Sequence, residues 1–473
     1  MERRRLQARQ DHDLPDDVLA DALRGVLPRW LAASRCVCKA WRRVIDERRL
    51  LRTDLLPLSL AGIFIQFDCH AFPEFFACPS RATVNTKLHF LPPPKYPFDE
   101  IRPGSRFDNE YFVRDHCHGL LLLRNYVVNP ATRRWDPLPP MRDTYLFLFK
   151  EYLAFDPTVS PHYQVFRVPY LHEESIYKSM VARGSTQLDP LVEESEWPPS
   201  TCIMDVFSSR SGRWEERSFA RQGNVAGDIA EARRNRHCRW EWAKCGSAYW
   251  QQALYVHCQP NVVMRISLSE DKYRVIEAPI DMNAMTYLGR SKNGVYYASF
   301  IKDVFRVWIL DESYDQMKWV MKGEYDLKRV RASDQHVHGP WVLEDINYEF
   351  FRSQLPEVKK EARVEEEAEW NSDNDDVDDN IDAIQGRRLG GYEVLGFHPF
   401  KEILFLSSFM GEEWDATVHA YHLNSSRVEC LGNMRPAQYH LYEGTAPCEE
   451  REYKYFPYTP CWIGEFHSNK CNL

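Results

Sequence analysis

The sequence predicts an α+β multidomain protein: a small all-α unit at the N-terminus followed by a large all-β domain, β-propeller-like in its repetition. Three observations predict it. Apolar residues between 13 and 55 recur at helical spacing around two proline breaks. From about Leu60 the pattern changes to short strands separated by turns. One strand–turn–strand unit then recurs five times. The expected organisation is a flexible segment over 1–12, helices over 13–55, a first β part over 60–356, an acidic insertion over 357–388 and a last β part over 389–466.

Asp13 can cap a helix, and Pro15 suits its first turn, where no backbone donor is needed. Asp16 and Asp17 complement the positive end of the helix dipole. Val18, Ala22 and Val26, beside Leu19, Leu23 and Leu27, make one apolar stripe. Pro28 ends the helix, because the residue before a proline avoids the helical region. A second helix is expected from about Trp30 to Glu47, with Val37, Trp41 and Ile45 on one face and Val44 beside them. A hairpin packed on its own protein meets this periodicity equally well. Roughly 40 residues bury little alone, however, and exposed apolar stripes commonly mark interaction surfaces.

In the β region an apolar strand meets a polar turn, then Arg or Lys and a large apolar residue. Tyr126-Val127-Val128 leads to Arg134-Trp135, and Asp205-Val206-Phe207 to Arg213-Trp214. Arg265 to Leu268 leads to Lys272-Tyr273, Val307 to Leu310 to Lys318-Trp319, and Ala420 to Leu423 to Arg427-Val428. Each is a hairpin pattern. The spacing implies units of about 45–60 residues, the period of propeller blades, with the returning aromatic residues buried between units. An irregular β-sandwich or two stacked β-domains also fit. His172 to Ser200 reads as a long loop.

With 473 residues and 44% hydrophobic content, the chain can bury a large core. Its net charge of -9 argues against general nucleic-acid binding. That charge is local: Glu357 to Asp382 holds twelve acidic and three basic residues, a tract expected to be disordered. Met1 to Arg52 has thirteen Arg and Lys against eight Asp and Glu. The 13 cysteines form no repeated framework, no secretory leader is evident, and no apolar run reaches a membrane span of ~18 residues. Reduced thiols in the cytosol or nucleus are expected.

No phosphate loop, nucleophile elbow or His-Glu-x-x-His pair is present. His116-Cys117-His118 alternates on a strand, so its side chains are not expected to converge on a metal. Cys36 and Cys38 face different directions on a helix. Neither a catalytic group nor a cofactor is expected. A propeller enzyme, such as a glycan hydrolase, would need paired carboxylates in a central pocket.

Leu14-Pro15-Asp16-Asp17-Val18-Leu19, the break at Leu27-Pro28, Ser34-Arg35-Cys36 and Val37-Cys38-Lys39-Ala40-Trp41 occur in order and without a gap. This resembles the F-box of plant proteins, especially the large grass-type group. Asp115 to Leu122, Asn129 to Trp135, Leu153 to Pro157 and Phe456 to Ile463 are similar to the F-box-associated β-domain of the same family. The resemblance implies a substrate-recognition subunit of an SCF-type cullin-RING ubiquitin ligase. The helices would bind the Skp-type adaptor and, through it, a cullin, while the β-domain would bind a client protein. It implies an adaptor surface formed or supported by Leu14, Pro15, Val18, Leu19, Leu23, Pro28, Leu31, Val37, Cys38 and Trp41. It implies no cofactor, metal, nucleic acid or membrane. A scaffold acting outside a ligase is the alternative. The chain departs from the family at Ala22, where a bulkier Ile is usual, at Gly25, at Leu27 and at His118, where Asn is common. Ala22 buries less apolar area and Gly25 costs up to ~1 kcal/mol of helix propensity.

Overall fold

A computed structural model describes most of residues 15–50 and 59–92, then 109–140, 149–171, 190–234, most of 246–347, 389–410, 415–434 and 454–462. The acidic tract at 357–388 lies outside the described residues, as do Asp13, Leu14 and Pro28.

Helix α1 spans Asp16–Arg24, with Pro15 at its N-cap and no side-chain cap. The Pro15 carbonyl accepts the Leu19 N–H at 3.0 Å. The helix stops at Gly25, short of the expected stop at Pro28, because glycine is the weakest ordinary helix former. Helix α2 spans only Lys39–Glu47. Leu31 and Ser34 are helical, but the chain turns at Val37, so the single helix expected from Trp30 is interrupted. The Cys38 thiol sits where a capping side chain would and accepts the Trp41 N–H at 3.5 Å, which starts α2. Leu19, Ala20, Leu23, Leu31, Val44, Ile45 and Leu50 form a core separate from those of the β region. Two ion pairs clamp the helices: Arg43 reaches both Asp16 oxygens at 2.9 and 2.8 Å, and Arg48 reaches Asp17 at 2.6 Å. Exposed pairs of this kind contribute ~0.2–1 kcal/mol each.

The remaining described residues form a large β domain. Its strands are, in order, β1 (Gly62–Gln66), β2 (Glu74–Ala77), β3 (Val113–Cys117), β4 (Leu120–Leu123), β5 (Tyr126–Asn129) and β6 (Arg134–Pro137). There follow β7 (Phe149–Ala154), β8 (Gln164–Pro169), β9 (Glu196–Trp197), β10 (Thr201–Ser208), β11 (Arg213–Gln222) and β12 (Gly227–Asp228). Next come β13 (Ser247–Trp250), β14 (Ala253–Gln259), β15 (Val262–Ser267) and β16 (Lys272–Glu277), then β17 (Met285–Ser291), β18 (Gly294–Ile301), β19 (Val304–Asp311) and β20 (Lys318–Asp326). The last are β21 (Val342–Glu344), β22 (Leu389–Phe397), β23 (Ile403–Met410), β24 (Asp415–His422), β25 (Val428–Asn433) and β26 (Lys454–Tyr458).

Apart from the short β9–β12 pair, the described strands fall into six antiparallel groups of four. Four groups are consecutive hairpins: β3–β6, β13–β16, β17–β20 and β22–β25. A fifth is β7-β8-β10-β11, joined to β13–β16 in one eight-stranded sheet by a short parallel pairing of β11 with β16, Ala220↔Lys272 to Gln222↔Arg274. The sixth is composite, in the order β21-β2-β1-β26, so three distant segments build it. The leading strands contact one another in a closed cycle, β26 with β3, β3 with β13, β13 with β17, β17 with β22 and β22 with β26, while β7 lies against β3. Each apolar cluster is shared by neighbouring groups: Phe305 and Val307 of β19 pack with Leu404 and Tyr421 of β23 and β24, for example. A sheet with both faces buried needs strands that are apolar on both sides, and Leu120–Leu123 is such a strand.

All five hairpins expected from the sequence are present, with Val128 opposite Trp135, Phe207 opposite Trp214, Ile266 opposite Tyr273, Leu310 opposite Trp319 and Tyr421 opposite Val428. They are the third and fourth strands of their groups. Only Tyr273 among the returning residues is fully buried; the others are half-buried because the fourth strand is outermost. The groups are also unequal in length: β7-β8-β10-β11 runs from Phe149 to Gln222, and β3–β6 only from Val113 to Pro137. The stretch expected as one loop from His172 contains a short helix, α3 (Pro190–Glu193), and β9, which pairs with β12. Arg221 donates to the Pro198 carbonyl at 2.8 Å, which ties this stretch to the sheet. Among the described residues no helix is long and apolar enough to cross a membrane.

Candidate functional site

Two places could carry function: the exposed face of the helices and a cavity where the leading strands meet. The ten residues singled out in the helices divide by burial. Leu19, Leu23 and Leu31 lie in the helical core, and Trp41 is half-buried at its edge. Pro15 and Cys38 are exposed, as are Val18 at 51% and Val37 at 63%. Leu14 and Pro28 lie outside the described residues. The periodicity had placed Val18, Ala22 and Val26 on one stripe with the leucines. Helix α2 packs on the Leu19–Leu23 side, so Val18 and Ala22 face outward. Val18 and Ala22, one turn apart, therefore leave an apolar strip on the solvent side of α1.

The second place is a cavity of about 240 Å³ to which every β group contributes. Its lining runs from His116–Gly119 after β3 through Asp156–Thr158 after β7, Ser247–Tyr249 of β13 and Tyr287–Arg290 of β17 to Phe397 and Pro457. The turn between β3 and β4 shapes one wall. His118 and Gly119, with φ of 43° and 84°, form a two-residue hairpin loop of the kind that needs two left-handed residues. Asn-Gly is the usual choice, and His118 takes the Asn position. A Cβ on Gly119 would lie 2.4 Å from the Thr459 carbonyl oxygen, so no side chain fits.

Burial governs the electrostatics here. It holds the His116 imidazole down to about 4, and burial with the neighbouring Arg290 charge holds His118 down to about 4. Both rings are neutral near pH 7. The His118 Nδ1 faces the Phe155 carbonyl, which requires the proton on that nitrogen and leaves Nε2 to accept from Arg290. Burial pushes the Cys117 thiol up, and it donates to the same carbonyl at 3.2 Å. His116, Cys117 and His118 do not form a ligand set: among the described residues no cluster of His, Cys, Asp or Glu is placed to hold a metal ion. Asp156 is the carboxylate of the described lining, so the paired carboxylates a glycosidase needs do not meet in this cavity.

Just behind the cavity, Asp115 accepts from the Leu153 N–H at 2.7 Å and the Ser247 hydroxyl at 2.8 Å, yet burial raises its carboxyl to about 6. A carboxyl raised on folding contributes stability that is complete below its unfolded value and is lost as pH rises through about 6. The stability of the β domain is therefore expected to fall between about pH 4 and pH 7, by at most ~3 kcal/mol from this group. Asp115→Asn should flatten that interval in denaturant titrations run across it. An unchanged profile in the variant would refute this assignment.

Sequence reasoning did not single out Arg290 or Tyr287, and Asp156 entered only as part of the Leu153–Pro157 stretch. They are scattered over some 130 residues of sequence and carry no shared motif. The local signals were the His-Gly pair before a leucine run and the Leu153–Pro157 and Phe456–Ile463 stretches, which mark three walls but not the cavity they share.

Neither a family model nor a curated protein matches this chain. Among solved structures it is similar to a chain of the mitotic checkpoint complex, at 9% identity and a TM-score of 0.28, covering 69% of this chain and 79% of that one. It is also similar to a structure described as a prolyl endopeptidase, at 10% identity and a TM-score of 0.27. That match covers 85% of this chain and spans about 55% of the peptidase chain.

Proposed function

We propose that the chain is a non-catalytic recruiting subunit of an SCF-type ubiquitin ligase. The helices serve as an F-box that docks on the Skp-type adaptor, and the β domain, read as a six-bladed β-propeller, holds a client protein. The observation that carries this reading is the self-contained helical core with Val18 and Val37 exposed beside it, in a stretch whose motifs resemble the plant F-box. The propeller reading is supported by six four-stranded antiparallel groups whose leading strands contact one another cyclically and by the composite sheet that joins β1 to β26. Function follows from proximity: a client held near the charged enzyme has its lysines at high effective concentration.

The test is co-purification of the full chain with the adaptor. Val18→Asp and Val37→Asp each place a charge on an exposed position and should leave the fold intact. Burying an aliphatic side chain stabilises a complex by ~1.5–3 kcal/mol, so each change should weaken adaptor binding by about ten- to a hundredfold. Leu23→Ala should instead loosen the helical core by ~2–5 kcal/mol, seen as faster amide exchange in 15–50 with the β domain unaffected. Absence of adaptor binding by the wild-type chain, or undiminished binding by the Val18→Asp/Val37→Asp double variant, would sink the proposal.

A further inference from the structure

Arg290 stands at the wall of the shared cavity, on the last turn of β17 toward the point where the leading strands meet. Its Nη1 donates to His118, but its Nε is buried with no hydrogen-bond partner among the described residues. No described carboxylate comes within ion-pair distance of it. Its guanidinium carbon instead lies over the rings of Trp250 and Phe400, 5.4 and 5.9 Å from their centres. A largely buried guanidinium with one N–H unsatisfied and no carboxylate paired to it directly carries a desolvation cost that an entering anion offsets. The nearby Asp156 offsets part of this charge through space without pairing to it directly: its Oδ1 accepts the Thr158 N–H at 2.9 Å and the Thr158 hydroxyl at 2.6 Å, within its own turn.

We propose that this cavity is a binding site for a single carboxylate carried on a small aromatic or apolar body, anchored by Arg290. The planar guanidinium fork matches a carboxylate in two-point geometry. The Tyr287 hydroxyl, which lines the cavity and has no protein partner among the described residues, is available to donate to the same group. His118 stays neutral, accepts from Arg290 and so fixes the fork's orientation without adding charge. The described lining sets one cation, Arg290, beside one carboxylate, Asp156, a balance that disfavours a phosphate-like dianion. A volume of about 240 Å³, walled by Tyr249, Phe397 and Phe400, admits one ring with its acid group. The carboxylate can come from a free organic acid or from the C-terminus of a peptide with an aromatic last residue. The proposal does not depend on what the helices bind.

The experiment uses the purified full chain and three probes: phenylacetate, its neutral amide phenylacetamide, and the dipeptide N-acetyl-Ala-Phe with a free C-terminus. Binding is read by calorimetry and by tryptophan fluorescence, since Trp250 stacks beside Arg290. At millimolar concentration at least one acid should bind, at least tenfold more tightly than the amide. Arg290→Gln should lose tenfold or more of that affinity, and Arg290→Lys should retain part of it, with folding of both variants checked by circular dichroism. Tighter binding of the dipeptide assigns the site to a chain terminus, and tighter binding of phenylacetate assigns it to a small acid. If the wild-type chain binds neither acid, or binds acid and amide alike, the proposal is wrong, whatever the folding of the variants. Undiminished binding by a folded Arg290→Gln chain overturns it equally.

Discussion

A chain ended at residue 452 will not form a stable β domain. Residues beyond that point include β26, which pairs with β1 at five positions from Gly62↔Tyr458 to Gln66↔Lys454. They also bring three buried rings, Tyr455, Phe456 and Tyr458, the last of which lies 5.1 Å from Phe64 and edge-on to it. At ~1.5–3 kcal/mol per buried ring the loss is ~5–9 kcal/mol, comparable with the whole net stability of a typical domain. The Cys461 carbonyl is lost as well, leaving the Asn129 amide, fully buried and bonded to it at 2.9 Å, without its acceptor. The uncovered edge of β1 would then be free to pair with other chains. The expected result is an aggregated or protease-sensitive product, while adding residues 453–473 as a separate peptide should partly restore a monomer. A truncated chain that stays monomeric and melts where the full chain does would refute this account of closure.

The second large effect is expected at Glu74. Its carboxylate is fully buried and takes the backbone N–H groups of Ile346 and Asn347 at 2.5 and 3.3 Å. It also accepts the Asn347 side-chain amide at 2.6 Å and lies 2.9 Å from His70 Nδ1. Asn347 in turn bonds both the carbonyl and the N–H of Phe72, at 2.8 and 3.0 Å. One acidic group thus holds the turn before β2 against the segment after β21, across more than 270 residues of sequence. Glu74→Ala removes the acceptor for three buried donors at once. Breaking such a buried charged network costs ~3–5 kcal/mol. At ~2.1 cal/mol/K per residue, a β domain of ~400 residues has an unfolding entropy of ~0.8 kcal/mol/K, so the melting temperature falls by about 4–6 °C. Glu74→Gln keeps one acceptor oxygen and should fall between. Scanning calorimetry of the three proteins decides it, and equal melting temperatures would show that the network is dispensable.

What was legible in the sequence was local. The five hairpins could be read because each is settled within about fifteen residues by alternation and a turn. The start of α1 was legible to within about two residues: Pro15 takes the N-cap itself and does not sit in the first turn. The buried side of α1 was not. Val18 and Leu19 begin adjacent apolar rows, and the position of α2 decides which row is covered. The composite sheet was invisible because Trp341–Leu343 reads as an isolated apolar triplet until β2 lies beside it. The same limit applies to the cavity. Arg290 has no motif around it, and its meaning comes from His118, 172 positions away, being brought within hydrogen-bond reach.

The order of the strands also bears on how the protein is made. Strands β1 and β2, Gly62–Gln66 and Glu74–Ala77, are buried along their whole length. Their partner β26 leaves the ribosome about 390 residues later. At ~5–20 residues per second that is a wait of about 20–80 s with two greasy strands lacking a finished neighbour. The chain is therefore expected to lean on holding chaperones during synthesis, and the early strands to remain open to proteases until the last turn of translation. Slowing elongation late in the message should lower the yield of folded protein more than slowing it early.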